Sequence, residues 1–283
     1  GSARAADAQA YELSLEAAMA THFKRPLAGV AYDWSKCYDR MPLVLLEELA
    51  DKIGMPAALK GPMLAAYAAP RRVLYMGLAS EEVRPTCGLT PGCPAATDWL
   101  ALLMLPWLLR VRRLNEAKAR AYVDDLTAWA TGHDCVEVTQ LIVNLTADFE
   151  RATSLVLHEG KSRRFANCPT LRRRLLEAGD GPRVDSWFKD LGVIQNVGKK
   201  MTKGPSRLTG AIARVKRVAQ LAVPLHKKAF VVTASGISAA VYGQASNLVP
   251  EREILDLRSA IKACLVKKGK FASPEPLFSC LGL

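Results

Sequence analysis

The chain has 283 residues, half of them hydrophobic and 23% charged, which suits one large globular domain or two modest ones and excludes a disordered polymer. Lys and Arg outnumber Asp and Glu by 39 to 27, a formal charge of +12, and this excess favours a polyanionic partner. The longest apolar run, residues 99–109, is too short for a bilayer and contains Pro106, so it reads as buried helix, and no secretory signal is visible.

In chain order, residues 10–21 read as a helix and 27–33 as a short apolar strand. Residues 42–53 form a helix with Pro42 in its first turn and Gly54 just past its end. A further helix over 56–69 would be interrupted at Gly61-Pro62. Residues 71–76 and 82–85 suggest a hairpin around Gly77, and 95–115 a long helix. Strands at 120–122 and 126–130 flank a tight turn at Val123-Asp124-Asp125. A helix over 134–152 precedes short strands near Leu155 and Phe165, a helix at 169–177, and a strand pair beginning at 187–193. Beyond Pro205 the pattern is helical to about residue 268. The expected fold is α+β over residues 1–200, followed by a basic helical part over 201–283.

Charge is uneven. Residues 191–250 contain no acidic residue but carry Lys199, Lys200, Lys203, Arg207, Arg214, Lys216, Arg217, Lys227 and Lys228. Lys161, Arg163, Arg164, Arg172, Arg173 and Arg174 make a second cluster. Solvated faces usually mix signs, so a long acid-free stretch points to a polyanion, and nucleic acid fits better than membrane because no basic amphipathic helix with aromatic anchors is present. Seven cysteines without a CxxC pair and four scattered histidines argue against zinc and for an intracellular, reducing compartment.

Tyr122-Val123-Asp124-Asp125 sets two carboxylates side by side in a turn, which costs stability unless a cation neutralises them. Taken alone, such a pair is more often structural. Asp33 stands where the apolar run 27–32 ends. Strand-end carboxylates on neighbouring strands can converge on two metal ions about 3.5–4 Å apart, the arrangement that nucleotidyl transfer requires. An all-oxygen ligand set suits Mg²⁺.

With these pieces in place, the chain resembles the reverse transcriptases. Asp33-Trp34-Ser35-Lys36-Cys37-Tyr38-Asp39 is similar to the family's motif A and Tyr122-Val123-Asp124-Asp125 to motif C. Gly88-Leu89-Thr90-Pro91-Gly92-Cys93-Pro94, ahead of the long helix, is similar to motif B. The segment from Leu155 through Lys161 to Ser162 is similar to motif D, and Phe188-Lys189-Asp190-Leu191-Gly192 to motif E, the primer grip. The five stand in family order between residues 27 and 193, and the Asp-x-Ser-Lys form of motif A points toward non-LTR retrotransposons and group II introns.

The resemblance implies a polymerase palm, an antiparallel sheet with packed helices, followed by a helical thumb. It implies RNA-directed DNA synthesis from a DNA primer, an RNA template and dNTPs. Asp33, Asp124 and Asp125 would bind two Mg²⁺ ions, with Mn²⁺ as the substitute. Lys161 would serve as general acid, Tyr38 would sit under the sugar and exclude a 2′-hydroxyl, and Gly92 would let backbone approach the nucleotide. Leu191 and Gly192 would form the primer grip, and Lys199, Lys200, Lys203, Arg207, Arg214, Lys216 and Arg217 would contact nucleic acid. Pro91 replaces the Gln that usually precedes the motif B glycine. The family's fingers strands would precede motif A, where only a remnant is expected here, so residues 1–283 should bind primer–template better than they extend it unless a fingers segment or a larger polypeptide contributes. The alternatives are an RNA polymerase, against which Tyr38 argues, a catalytically impaired nucleic-acid-binding module, and an assembly subunit, against which the basic stretch argues.

Overall fold

The computed structural model describes residues 6–90, 92–198, 207–244 and 250–266. Lys199, Lys200, Lys203 and Pro91 lie outside the described residues. The chain divides into two compact units. One comprises Ala17–Phe188 and Val197–Lys199; the other comprises Gly1–Glu16, Lys189–Asn196 and Lys200–Leu283.

Helix α1 (Ala6–His22) leads to strand β1 (Leu27–Tyr32), the short helix α2 (Cys37–Arg40), α3 (Leu43–Lys52) and α4 (Ala57–Ala68). Strands β2 (Leu74–Tyr75) and β3 (Leu78–Ala79) precede the long α5 (Ala96–Arg112). Then come β4 (Ala117–Tyr122), β5 (Asp125–Thr131), α6 (Cys135–Thr153), β6 (Arg163–Ala166), α7 (Pro169–Glu177) and β7 (Arg183–Asp185). The main sheet has the order β4-β5-β1-β6-β7, antiparallel except for the β6–β7 pair.

Strand β1 is central and buried at all six positions, which explains why its sequence is continuously apolar and does not alternate. One face of the sheet, through Val30, Tyr32, Leu126 and Ala128, packs with Trp99, Leu103 and Trp107 of α5 and Ile142 of α6. Farther along, Ala28, Ala130 and Ala166 pack with Cys135, Val136, Leu171 and Leu175. On the other face Gly29 lies between Trp129 and Phe165, and Phe165 stacks on Phe188 with ring centroids 4.5 Å apart.

Several local expectations are revised. Helix α4 runs through Pro62 without a break. The N–H that Pro62 lacks would have met the carbonyl of Ala58, an exposed residue whose oxygen water can serve. The hairpin near Gly77 turns at Met76-Gly77, both left-handed, so its return strand starts at Leu78 and not at residue 82. Near Leu155 there is no strand, only a bridge between Leu157 and Trp34. Strand β7 adds to the expected set, being too short and polar to signal itself in the sequence.

Strands β8 (Trp187–Asp190), which enters the second unit at Lys189, and β9 (Val193–Asn196) meet at the turn Leu191-Gly192. Gln195 donates from Nε2 to the Ala10 carbonyl at 2.9 Å and accepts from Ser14 Oγ at 2.6 Å, fastening α1 to β9. The helices are α8 (Arg207–Ala219), α9 (Leu225–Val231), a π-helical stretch (Val232–Ile237), α10 (Ser238–Val241) and α11 (Glu251–Leu265). Their core joins Val215 and Val218 to Ala229, Val232, Ile261 and Leu265. Among the described residues no helix is long and apolar enough to cross a membrane, and the six described cysteines are free thiols.

Candidate active site

The β4–β5 hairpin closes with Tyr122 opposite Asp125, so its loop is the two residues Val123 and Asp124. A loop this short demands left-handed backbone, and Val123 supplies it with a φ of 57° despite its branched Cβ. Such a conformation costs on the order of 1–3 kcal/mol and persists only where the surroundings impose it. Asp125 belongs to the strand, whose alternation turns it to the face opposite Leu126.

Tyr32, the last residue of β1, pairs with Leu126, which brings Asp33 alongside the hairpin loop. Asp33 is fixed by its backbone: its N–H donates to Ser162 Oγ at 3.2 Å and its carbonyl accepts the His158 N–H at 2.8 Å. Lys161 Nζ lies 3.2 Å from each carboxylate oxygen of Asp33. Burial raises the Asp124 carboxyl above the usual range, with repulsion from Asp33 adding to it; its own backbone N–H and the Lys161 ammonium oppose the rise. Three polar groups expected from separate motifs therefore share one electrostatic site. Sequence reasoning misses Ser162 and His158 as the groups that orient Asp33; their flanking of Lys161 is the available signal.

Tyr38 is half-buried against the main core. Its phenol is pushed up first by burial and then by the Asp124 charge, which places the ring in the field of the same carboxylate. The stretch Gly88-Leu89 lies against it, with Leu89 N–H donating to the Tyr38 carbonyl at 2.8 Å and Gly88 N–H to the Met41 carbonyl at 2.9 Å. Gly88 has a φ of 90°, and a Cβ there would stand 2.9 Å from the Asp39 oxygen, so both conformation and contact require glycine. Gly92 is left-handed too, at 80°, but faces open space. Nearby, Tyr67 Oη and Cys93 Sγ are 3.0 Å apart, and Cys93 is lowered by Tyr67 first and then by the Ala95 amide.

In the second unit, the Leu191-Gly192 turn is left-handed at both residues, with φ of 48° and 74°. Helix α8 buries Leu208, Ala211, Val215 and Val218 and exposes Arg214, Lys216 and Arg217, whereas Arg207 is half-buried. Most of the Arg163–Arg174 cluster is engaged by partners within the chain. Arg164, 4% exposed, donates to the carbonyls of Leu175, Gly179 and Pro182, and so terminates α7. Arg172 donates to the Ala166 carbonyl, while Arg163 and Arg174 pair with Asp185 and Glu137.

Among the described residues no three His, Cys, Asp or Glu side chains form a protein-only metal cage. Two carboxylates held in mutual repulsion, one partly desolvated, are the donor chemistry Mg²⁺ uses where water and substrate phosphates complete its shell.

No family model and no curated protein matches the chain. Among solved structures, apo telomerase from Candida tropicalis superposes with a TM-score of 0.55 at 13% identity, covering 92% of this chain and 44% of that one. Telomerase from Candida albicans with a TWJ fragment of telomeric RNA gives a TM-score of 0.45 at 11% identity, covering 97% of this chain and 54% of that one. The chain spans between 38% and 54% of the lengths of four of the solved structures it matches. The likeness is one of fold: an α+β, palm-like sheet with packed helices and a helical, thumb-like region.

Proposed function

We propose that the chain carries out template-directed nucleotidyl transfer as an RNA-directed DNA polymerase, and that its motif A aligns it with the non-LTR retrotransposon and group II intron enzymes. The observation that carries the reading is the convergence of Asp33, Asp124 and Lys161 at the end of β1 and the β4–β5 loop. Asp33 and Asp124, with Asp125 alongside, would hold Mg²⁺, which when bound activates a 3′-hydroxyl and stabilises the leaving oxygen.

The chain's own side chains supply the rest. Ser162 and the His158 amide hold the Asp33 backbone from both sides, so its carboxylate springs from a fixed point at the end of β1. Lys161, with three donor protons and 60% side-chain exposure, can leave Asp33 for the pyrophosphate and deliver a proton to it. Tyr38, backed by core and fixed through its carbonyl by Leu89, fills space where a 2′-hydroxyl would enter. Arg214, Lys216 and Arg217 on α8 present positive charge to a phosphate backbone.

The test is primer extension on a primed RNA template with Mg²⁺, using dNTPs and NTPs in parallel and Asp124→Asn as the paired control. Weak extension with dNTPs, lost in the Asn variant, is the expected result. Equal extension by both proteins refutes the site. One observation favours a second reading, a nucleic-acid-binding module without catalysis: Lys161 neutralises Asp33 internally. Tight primer–template binding with no extension under any divalent ion would select it.

A further inference from the structure

Arg207 and Tyr242 do something that the charge count does not suggest. The Arg207 guanidinium donates through Nη2 to the Gly192 carbonyl and lies over the Tyr242 ring, 4.5 Å from its centroid. Tyr242 Oη donates to the Leu191 carbonyl at 2.8 Å. Both carbonyls of the two-residue β8–β9 turn are therefore engaged, one by each member of a stacked pair. The space left for the turn is small. A Cβ on Gly192 would stand 2.7 Å from Arg207 Nη2, and one on Gly243, next to Tyr242, would stand 2.4 Å from Val193 Cγ2. Gly192 and Gly243 are left-handed as well; at Gly243 the Val193 contact also excludes a Cβ, whereas at Gly192 a Cβ would displace the guanidinium.

We propose that Arg207 and Tyr242 act as a clamp that orients the Leu191-Gly192 turn toward a primer's 3′-terminal phosphodiester, so that Arg207 is a positioning residue and not a phosphate contact. The inference rests on the polymerase reading given above. Its physical basis is the sign of the groups. A turn that faced a phosphate with its carbonyl oxygens would repel it. Committing both oxygens to donors takes their lone pairs out of the way of an approaching phosphate, and backbone amides are the groups with which a turn binds an anion. The guanidinium also supplies a planar fork and a stacking face that an ammonium lacks, so Arg→Lys is not a conservative change here.

The test uses the full chain without divalent metal, and a DNA primer carrying 2-aminopurine at its 3′ end on an RNA template. Saturating wild-type protein should change the emission, because the terminal base is held. In Tyr242→Phe and in Arg207→Lys the balance between held and unheld ends should shift about fivefold for each hydrogen bond lost. The dissociation constant should rise by no more than the same fivefold, and its salt slope should stay as in the wild type. Gly192→Ala should give the same defect from the opposite side, by displacing the guanidinium. Tyr242→Phe removes a single oxygen, so a folded protein is available for the measurement even if the Arg207 variants melt.

A phosphate-contacting Arg207 gives a different pattern: Arg207→Lys stays near wild type, Tyr242→Phe is silent, and Arg207→Ala makes the salt slope shallower by about 0.9. That pattern overturns the clamp, as does wild-type binding with no change in emission. Failure of the wild type to bind primer–template counts instead against the polymerase reading.

Discussion

Gly29→Ala tests whether the central strand sets the geometry of the carboxylates. The new Cβ would stand 2.5 Å from the Ala128 carbonyl oxygen, 2.6 Å from Phe165 Cζ and 2.7 Å from Trp129 Cβ. None of the three can yield cheaply. The carbonyl belongs to β5, next to β1 in the sheet, Trp129 is 2% exposed, and Phe165 is fully buried and stacked on Phe188. Overpacking of this kind costs about 1–3 kcal/mol, and the stiffer unfolded chain of an alanine variant returns about 0.4–1 kcal/mol. A net loss of about 1–2 kcal/mol corresponds to a Tm lower by about 2–8 °C for a unit of this size. Because β1 ends just before Asp33 and β5 starts just after Asp124, separating the two strands should also weaken Mg²⁺-dependent extension more than primer–template binding. Thermal unfolding followed by circular dichroism, with extension assayed below the transition, reads both effects. An alanine variant with unchanged Tm would refute the claim that this position is closed.

Gly210 gives the opposite sign: it sits on the exposed side of α8, where an added Cβ would meet nothing within 4 Å, so Gly210→Ala should stabilise by about 0.5–1 kcal/mol in urea unfolding. Asp124→Asn should stabilise the fold at pH 7. The folded carboxyl is raised, so Asp124 costs nothing while it is protonated in both states and becomes destabilising as pH rises through its folded pKa. The Asn advantage should vanish below the unfolded carboxylate pKa of about 3.9 and grow above it; denaturant midpoints at acid and neutral pH check this. Tyr38→Ala should raise NTP incorporation relative to dNTP, and unchanged discrimination in an active variant would assign the sugar gate elsewhere. Arg214, Lys216, Arg217 and Lys227 are exposed, so if all four meet phosphates the slope of log affinity against log salt should be about −3 to −4, measured by fluorescence anisotropy.

The central strand, the long helix α5 and the carboxylate turn are legible in the sequence because each has one dominant cause. Residues 27–32 are continuously apolar because both faces are covered, and α7 begins at Pro169 because proline suits a first helical turn. What is not legible depends on partners distant in sequence. Arg164 reads as a surface cation until α7 and the 179–182 loop close over it. Arg207 reads as one until the Gly192 carbonyl and the Tyr242 ring, from two other parts of the chain, are in place around it. Charge tells a sequence reader that a side chain wants an acceptor; it does not say whether that acceptor is a phosphate or a carbonyl of the same chain.

The candidate site also concentrates features that work against stability. Val123 is left-handed, Asp124 is partly desolvated beside a like charge, and Lys161 gives Asp33 only a largely exposed partner. An exposed ion pair contributes about 0–1 kcal/mol, less than the strain at Val123 alone can cost. The deficit must be met by the sheet beneath, where β1 makes ladders on both edges and buries every residue. A hairpin loop evolved only for folding would relax Val123 to Asn or Gly and drop one carboxylate. Strain and repulsion at the end of the best-supported strand accord with the proposed cation and phosphate chemistry, and Val123→Gly should stabilise the hairpin while loosening the placement of Asp124.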